Sequence, residues 1–319
     1  KYFVRHTLTQ DVTMVCGYTR NQIGRLLNSR KEEIGGDRIG YISADFSKFD
    51  STVGADLMEI ERIVYNNVFP ASHSREVIND FVDRCQQDFK TYAMNGNFAM
   101  GAYVPCSRGS GDPNTTVGNT IINYYMWTNL LDRFGQGDKI FVFVCGDDVL
   151  ILADVEILAA FVARVEKSLF FKKIGVKCDF EPIVRHYSET AFLSGWYVRG
   201  DVTKTSGETQ SHIVHAAKLG RVLSKTMLTH KMWHTEAEYE VLRNSKLLAL
   251  TNELWYLPKF CQKVNTFLDS YSGKLRDDTY YRYSAIPTVN RITKRNFKLR
   301  YWYDLDVVDE ALTKDFCVE

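Results

Sequence analysis

Residues 140–152 read Ile140-Phe141-Val142-Phe143-Val144-Cys145-Gly146-Asp147-Asp148-Val149-Leu150-Ile151-Leu152. Two apolar runs, rich in β-branched and aromatic side chains, flank a short polar break. That is the pattern of a β-hairpin with Gly146, Asp147 and Asp148 at its tip. Adjacent carboxylates at a tight turn repel each other and gain nothing from packing, so the pair calls for a cation. Hard oxygen donors of this kind suit Mg²⁺ or Mn²⁺. Alone, the string also fits an ordinary Asp-containing turn, and the segments around it decide between the two.

Working back toward the N-terminus, Gly40-Tyr41-Ile42-Ser43-Ala44-Asp45-Phe46-Ser47-Lys48-Phe49-Asp50 opens as a strand that delivers Asp45 at its C-terminal end. Asp50 follows after a tight bend, and Leu57, Ile60, Val64 and Val68 then recur at helical spacing. Open sheets place active residues at strand C-termini, which favours a functional Asp45. Asp50 or Ser51 fits equally well as a helix cap.

Alternation in Thr91–Met94 and again in Phe98–Val104, around Asn95-Gly96-Asn97, predicts a hairpin. It runs into Arg108-Gly109-Ser110-Gly111-Asp112-Pro113-Asn114-Thr115-Thr116-Val117-Gly118-Asn119-Thr120. Gly109 and Gly111 permit close backbone approach to a ligand, Asp112 can cap, and Pro113 suits a first helical position. Downstream, Val117, Ile121, Tyr124 and Leu131 form an apolar stripe. Thr115, Asn119 and Asn123, each four apart, form a polar stripe on another face. Such a stripe fits plain solvated surface, but a glycine loop feeding a helix whose polar face carries small hydrogen-bonding groups is more informative.

The bulk properties set limits. A chain of 319 residues with 45% hydrophobic and 13% aromatic content can bury one large core or a few lobes. A formal charge of +1 means that any nucleic-acid partner is held by a local basic surface. The seven cysteines stand singly, which fits a reducing compartment better than a disulfide framework. His212/His215 and His230/His234 have zinc-compatible spacing without matching cysteines or carboxylates. Asp147 and Asp148 split the longest apolar run, so no bilayer-crossing segment is expected, and an N-terminal h-region is lacking. Residues 1–38 have weak periodicity, with a helix expected around Gln22–Asn28.

Asp45-x4-Asp50, then Ser110-Gly111-x3-Thr115-x3-Asn119, then Gly146-Asp147-Asp148 resemble, in order, motifs A, B and C of the palm of viral RNA-dependent RNA polymerases. Cys16-Gly17-Tyr18, Asp45-Phe-Ser-Lys-Phe-Asp50 and Arg108-Gly-Ser-Gly-Asp-Pro-Asn-Thr115 narrow the resemblance to the tombusvirus-like polymerases of positive-strand RNA viruses. It covers about residues 15–198.

The resemblance implies an α+β right-hand polymerase with an antiparallel-sheet palm, partial fingers and a helical thumb. Partial fingers would be residues 1–38, the palm residues 39–200 with a fingers insertion at 70–107, and the thumb residues 201–319, expected to be mainly helical. Asp45 and Asp147, assisted by Asp148, would hold two divalent ions, Mg²⁺ or Mn²⁺, on the triphosphate and primer 3′-hydroxyl. Asp50 and Asn119 would sense the ribose 2′-hydroxyl. Ser110, Gly111 and Thr115 would seat nucleotide and template, and Arg108 would contact phosphate. Phe170–Lys177 resembles motif D, with Lys177 aligned as the general acid and Lys172 and Lys173 as alternatives. Phe192-Leu193-Ser194-Gly195-Trp196-Tyr197 resembles motif E, which supports the primer end.

In the region expected to be the thumb, Lys218, Arg221 and Lys225 stand at helical spacing, with a second basic cluster at Arg291, Lys294, Arg295, Lys298 and Arg300. Both would face the RNA template and product duplex, or else be solvated faces. The family's basic motif F, which binds NTPs upstream of the Gly17 segment, has no counterpart in Lys1–Cys16, so either a longer chain or a second polypeptide supplies it or the fingers have been replaced. Other viral replication proteins would complete the assembly, in the host cytoplasm on membranes reached through partners. Two other classes are weighed. A reverse transcriptase usually sets an aromatic block against the 2′-hydroxyl, where this chain has Asp50 and Asn119. A non-catalytic RNA-binding subunit stays open.

Overall fold

A computed structural model describes residues 11–18, 20–69, 73–85, 89–95, 98–104, 106–111, 114–203, 209–226, 240, 243–244, 246–247, 250, 254, 257–271 and 311–312. The basic cluster at 291–300, His230/His234 and the Gly96-Asn97 turn lie outside them. The chain is a mixed α+β protein that divides into two compact units, residues 1–17 with 31–186 and residues 18–30 with 187–319.

The first unit is built on a five-stranded sheet ordered β1-β5-β6-β2-β7. Its elements, in chain order, are β1 (Val12–Met14), the end of α1 (Arg20–Ile34), β2 (Ile39–Phe46), the single turn α2 (Phe49–Thr52), α3 (Ala55–Val68), α4 (His73–Cys85), the hairpin β3 (Phe89–Asn95) and β4 (Phe98–Val104), α5 (Thr115–Phe134), β5 (Phe141–Cys145), β6 (Asp148–Asp154), α6 (Val155–Ser168), α7 (Phe170–Lys173) and β7 (Cys178–Phe180). β1 runs parallel to β5, and the remaining pairings are antiparallel.

The hairpin expected around Gly146 is present. Cys145 pairs with Asp148, which leaves Gly146 and Asp147 as a two-residue turn. Asp148 is therefore the first residue of β6, not a tip residue. Gly146 has φ 63°, the left-handed value that a two-residue turn needs at its first central position and that glycine adopts without strain.

Alternate residues of β5, β6 and β2 bury Val142, Val144, Val149, Ile151, Ile42 and Ala44 against α3, α5 and α6, in one core with Trp127, Leu130, Phe161 and Phe171. Burying side chains of this size is worth roughly 1.5–3 kcal/mol each. Leu57 and Val64 of α3 lie in this core as their spacing predicts, with Ile60 packed against it. The stripe drawn on α5 is only partly right. Ile121 and Tyr124 are buried, but Val117 is 50% exposed. Because α5 is covered on several sides, it buries Gly118, Asn119, Thr120 and Asn123 as well.

In the second unit, α1 is longer than the predicted Gln22–Asn28. A 3₁₀ turn (Tyr187–Glu189) leads into β8 (Ala191–Phe192), β9 (Gly195–Thr203), β10 (Thr209–Ala217), α8 (Leu219–Thr226) and α9 (Pro258–Tyr271), and β11 (Ala311–Leu312) pairs with the end of β9. Residues 201–203 and 209–217 lie in the stretch expected to be mainly helical and are instead strand. Ile213–Ala217 are all buried, so β10 lacks the alternation that betrays a half-exposed strand. Gly24 of α1 allows the close approach that covers it, since a Cβ there would stand 2.7 Å from Val214 Cα. His215 is 1% exposed, within 3.1 Å of Arg20 and 2.7 Å of the Phe192 carbonyl. It is a structural residue rather than a metal ligand. The β8–β9 turn holds Leu193 (φ 47°) and Ser194 (φ 58°), both left-handed, at a position that Asn-Gly usually occupies.

Candidate active site

Three chain segments bring carboxylates to one end of the first sheet. The β2–β6 ladder ends at Ala44 opposite Val149, so Asp45 and Asp148 are the next residues beyond the paired ends. On its other side Asp45 sits directly opposite Asp179 of β7. Asp45 and Asp147 are exposed, and Asp148 and Asp50 half-buried. The Asp147 carboxyl is pushed above its ordinary range, first by partial withdrawal from water and then by the charges of Asp50 and Asp45. That is uncompensated negative charge on hard oxygen donors, the chemistry a divalent cation satisfies. Among the described residues no three acidic, His or Cys side chains form a ready-made metal cage.

The turn that carries Asp147 is held by α5. Thr120 Oγ1 accepts the Gly146 N–H at 2.7 Å, and Asn123 Nδ2 donates to the Gly146 carbonyl at 3.0 Å. Thr120 also lies 2.9 Å from Cys16 Sγ. One helix thus fixes both polar groups of the residue before Asp147. The polar stripe is an inward-facing set of tethers, not a solvated face. Thr115 plays a similar part in the loop, donating to the Gly109 carbonyl at 2.9 Å.

Asp50 lies in α2, where no side-chain cap forms, so capping is not its use. Its carboxylate accepts from Asn119 Nδ2 at 2.6 Å and from Ser110 Oγ. Arg108 Nε donates to Asn119 Oδ1 at 3.2 Å, and the Arg108 backbone N–H donates to the Asp50 carbonyl at 3.1 Å. Asn119, 3% exposed, stands behind Asp50, while Ser110 is exposed. Gly111, with φ 95°, turns the loop through a left-handed conformation.

Arg108 does not stand where a phosphate contact requires. Its guanidinium is ion-paired with Glu61 of α3, each side chain 1% exposed. The pair is buried because Glu61 sits on the core side of its helix between Leu57 and Val64, and Asn114 also donates to it at 2.5 Å. Burial and then the Glu61 charge push the neighbouring Tyr65 hydroxyl well above its usual range. Glu61 and Thr120 were not singled out from the sequence. The available signal for Glu61 was a charge four residues after Leu57 and three before Val64, on the stripe that goes inside.

Lys177 projects beside this end of the sheet, its ammonium 3.0 Å from the Asp179 carboxylate. The Ser47 N–H donates to the Lys177 carbonyl at 3.1 Å and its hydroxyl to Asp179 at 3.3 Å. The hydrogen bond from Lys177 holds the Asp179 carboxyl below its usual range, which eases the repulsion of placing Asp179 opposite Asp45. Lys172 and Lys173 are exposed in the last turn of α7. In the second unit Lys218 immediately precedes α8, on which Arg221 is exposed. Lys225 lies on the same helix.

A family described as viral RNA dependent RNA polymerase matches residues 5–242. The RNA-directed RNA polymerase of Pothos latent virus (isolate Pigeonpea/India) is 26% identical over 184 residues, covering 57% of this chain and 23% of that protein. Genome polyprotein 1 of Barley mild mosaic virus (strain Na1) is 26% identical over 164 residues, 49% of this chain and 7% of that protein. The match thus spans less than a quarter of the length of either relative.

Proposed function

The chain belongs to the viral RNA-dependent RNA polymerase family, and on that premise we propose that it carries out template-directed RNA synthesis in viral genome replication, through the carboxylates at the ends of β2 and β5. The observation that carries this is the convergence of Asp45, Asp147 and Asp148 at one end of the sheet, where the Asp147 carboxyl is raised by partial burial and then by the charges of Asp50 and Asp45. In this proposal the first unit is the palm of a right-hand polymerase, with β3 and β4 in a fingers insertion and the second unit contributing the thumb. The narrower tombusvirus-like character is part of the same proposal.

Asp45 and Asp147, with Asp148 assisting, would hold Mg²⁺ or Mn²⁺. Two such ions, roughly 3.5–4 Å apart, stabilise the attacking and leaving oxygens of an in-line displacement. The chain's own groups do the positioning. Thr120 and Asn123 hold the Gly146 peptide, and with it Asp147, in one place. Asp50 and Ser110 present the hydrogen-bonding surface for a ribose 2′-hydroxyl, with Asn119 orienting Asp50 from behind. Asn119 spends one amide N–H on Asp50. Glu61 fixes Arg108, which fixes Asn119. The Gly109–Gly111 loop would seat nucleotide and template. Lys177, held by Asp179 on the strand beside Asp45, would donate the proton to the leaving pyrophosphate. Lys218, Arg221 and Lys225 would follow the backbone of the product duplex.

The test is primer extension on an RNA template with NTPs and Mg²⁺ or Mn²⁺. Asp147→Asn is expected to abolish incorporation with the fold retained by circular dichroism. Near-normal incorporation by that variant would refute the assignment. A chain that binds RNA and never extends it, with or without further viral proteins, would favour an RNA-binding role instead.

A further inference from the structure

The sulfurs of Cys16 and Cys145 are 3.2 Å apart. The juxtaposition follows from the sheet. β1 and β5 are parallel neighbours with Met14 opposite Val144, and the Val15 N–H still bonds to the Val144 carbonyl at 3.0 Å. The two chains therefore leave the sheet side by side and bring both side chains to one spot beside α5. Both thiols are half-buried. Nothing in nucleotide addition uses them. They are wired to the acidic turn all the same, since Thr120 touches Cys16 at 2.9 Å and holds the Gly146 N–H at 2.7 Å. Hydrogen bonds from Cys145, outweighing the opposing effect of burial, and then from Thr120 and the Gly146 backbone lower the Cys16 thiol below its ordinary value. Cys16 is thus the sulfur prepared to attack.

We propose that Cys16 and Cys145 form an oxidation site that takes a small hydroperoxide and closes a Cys16–Cys145 disulfide beneath the Gly146-Asp147 turn. The Cys16 sulfur attacks hydrogen peroxide, the O–O bond breaks, and Cys16 becomes a sulfenic acid with release of one water. The Cys145 sulfur then attacks the Cys16 sulfur, the S–O bond breaks, and the hydroxyl leaves with the thiol proton as a second water. Two thiols are oxidised and one peroxide is reduced. Sulfurs in a disulfide stand about 2.05 Å apart, so closure asks for a shift of about one ångström. That shift removes Cys16 from Thr120 and draws Cys145 away from its place one residue before Gly146. The clamp on Asp147 loosens, and a dithiol reductant restores it. The loss of nucleotide addition on closure rests on the polymerase assignment, whereas the closure itself does not.

The experiment treats the reduced full chain with hydrogen peroxide and digests it without reductant for mass spectrometry. The expected product is a linked peptide pair containing Cys16 and Cys145, lighter by two hydrogens, formed before other cysteines oxidise and lost on adding dithiothreitol. Sulfinic or sulfonic acid at either residue without the link, or links spread over other cysteines, would overturn the proposal. Cys16→Ser should leave no link at Cys145, and the wild-type peptide pattern decides the matter if that variant does not fold. Primer extension should fall in step with the linked fraction and return with dithiothreitol. Full extension by the linked chain would overturn the effect on the turn. A linked chain whose reduced form also fails to extend would support the oxidation site while counting against the polymerase assignment.

Discussion

Arg108 and Glu61, from a glycine-rich loop and a core-facing helix, form an ion pair in which each side chain is 1% exposed. Removing one member of such a pair leaves a buried charge, at a cost of about 3–5 kcal/mol, whereas replacing both with apolar groups of similar volume is often close to neutral. Glu61→Ala is therefore expected to lower the unfolding free energy by about that amount in urea titration. Glu61→Leu with Arg108→Met should recover most of it. The double variant should not recover sugar discrimination, because Asn119 Oδ1 would lose its donor. Full NTP preference in the double variant would remove the positioning role.

Sugar selection itself is read by Asn119→Ala and Asp50→Asn. Each should erode the preference for NTP over dNTP, since a site built to pair a hydroxyl rejects its absence through unpaired polar groups. Competitive incorporation of NTP and dNTP on one template measures the ratio, and an unchanged ratio in both variants would sink the assignment.

Asp147 couples stability to pH. Its carboxyl is raised above the ordinary value of 3.8 in the folded chain, so the folded state holds its proton more tightly than the unfolded one. The resulting stability is complete below the ordinary value and is lost as pH rises through the raised one. At neutral pH the charged Asp147 is a net cost. Asp147→Asn should therefore melt higher than wild type at neutral pH without metal while being inactive, and added Mn²⁺ should raise the wild-type melting temperature more than that of the variant. A lower melting point for the variant would contradict the origin given for the shift.

His215 acts in the opposite sense. Burial, then the Arg20 charge, lower it from 6.5 to about 3. Its contribution to stability is complete above 6.5 and is lost as pH falls from there toward 3, because the unfolded chain takes up the proton first. Acid titration of wild type against His215→Gln should show the variant less sensitive to pH across this window.

For the proton donor, Lys177→Ala should slow incorporation at saturating NTP by roughly 10²-fold or more in rapid-quench measurements. Lys172→Ala and Lys173→Ala should not. Asp179→Asn should show a smaller loss and, with Lys177 released, should add little to Lys177→Ala. A large loss at Lys172 instead would move the role to α7.

The placement of the acidic cluster was legible because carboxylates at strand ends, flanked by β-branched runs, have no packing role to account for them. Asp45 and the Gly146 turn are of this kind. The direction of a side chain is a different matter. Arg108 read as a surface cation because an arginine in a glycine loop usually is one, and only the position of Glu61, 47 residues earlier, turns it inward. Val117 turns outward and Thr120 inward because a helix covered on several sides has no single apolar stripe. β10 escaped notice for the same reason, its alternation erased by burial of Ile213–Ala217.

Gly118 stands where an added Cβ would be 2.6 Å from an Arg108 guanidinium nitrogen and 2.7 Å from the Glu61 carboxyl carbon. A single methyl group there would collide with the ion pair, and neither partner has free space into which to retreat. Positions 61, 108 and 118 are thus sterically tied across three segments. Among relatives they are expected to change together. A lineage that lost the acid at 61 would release the constraint on 118 at the same moment, and side chains larger than hydrogen at 118 should be confined to such lineages.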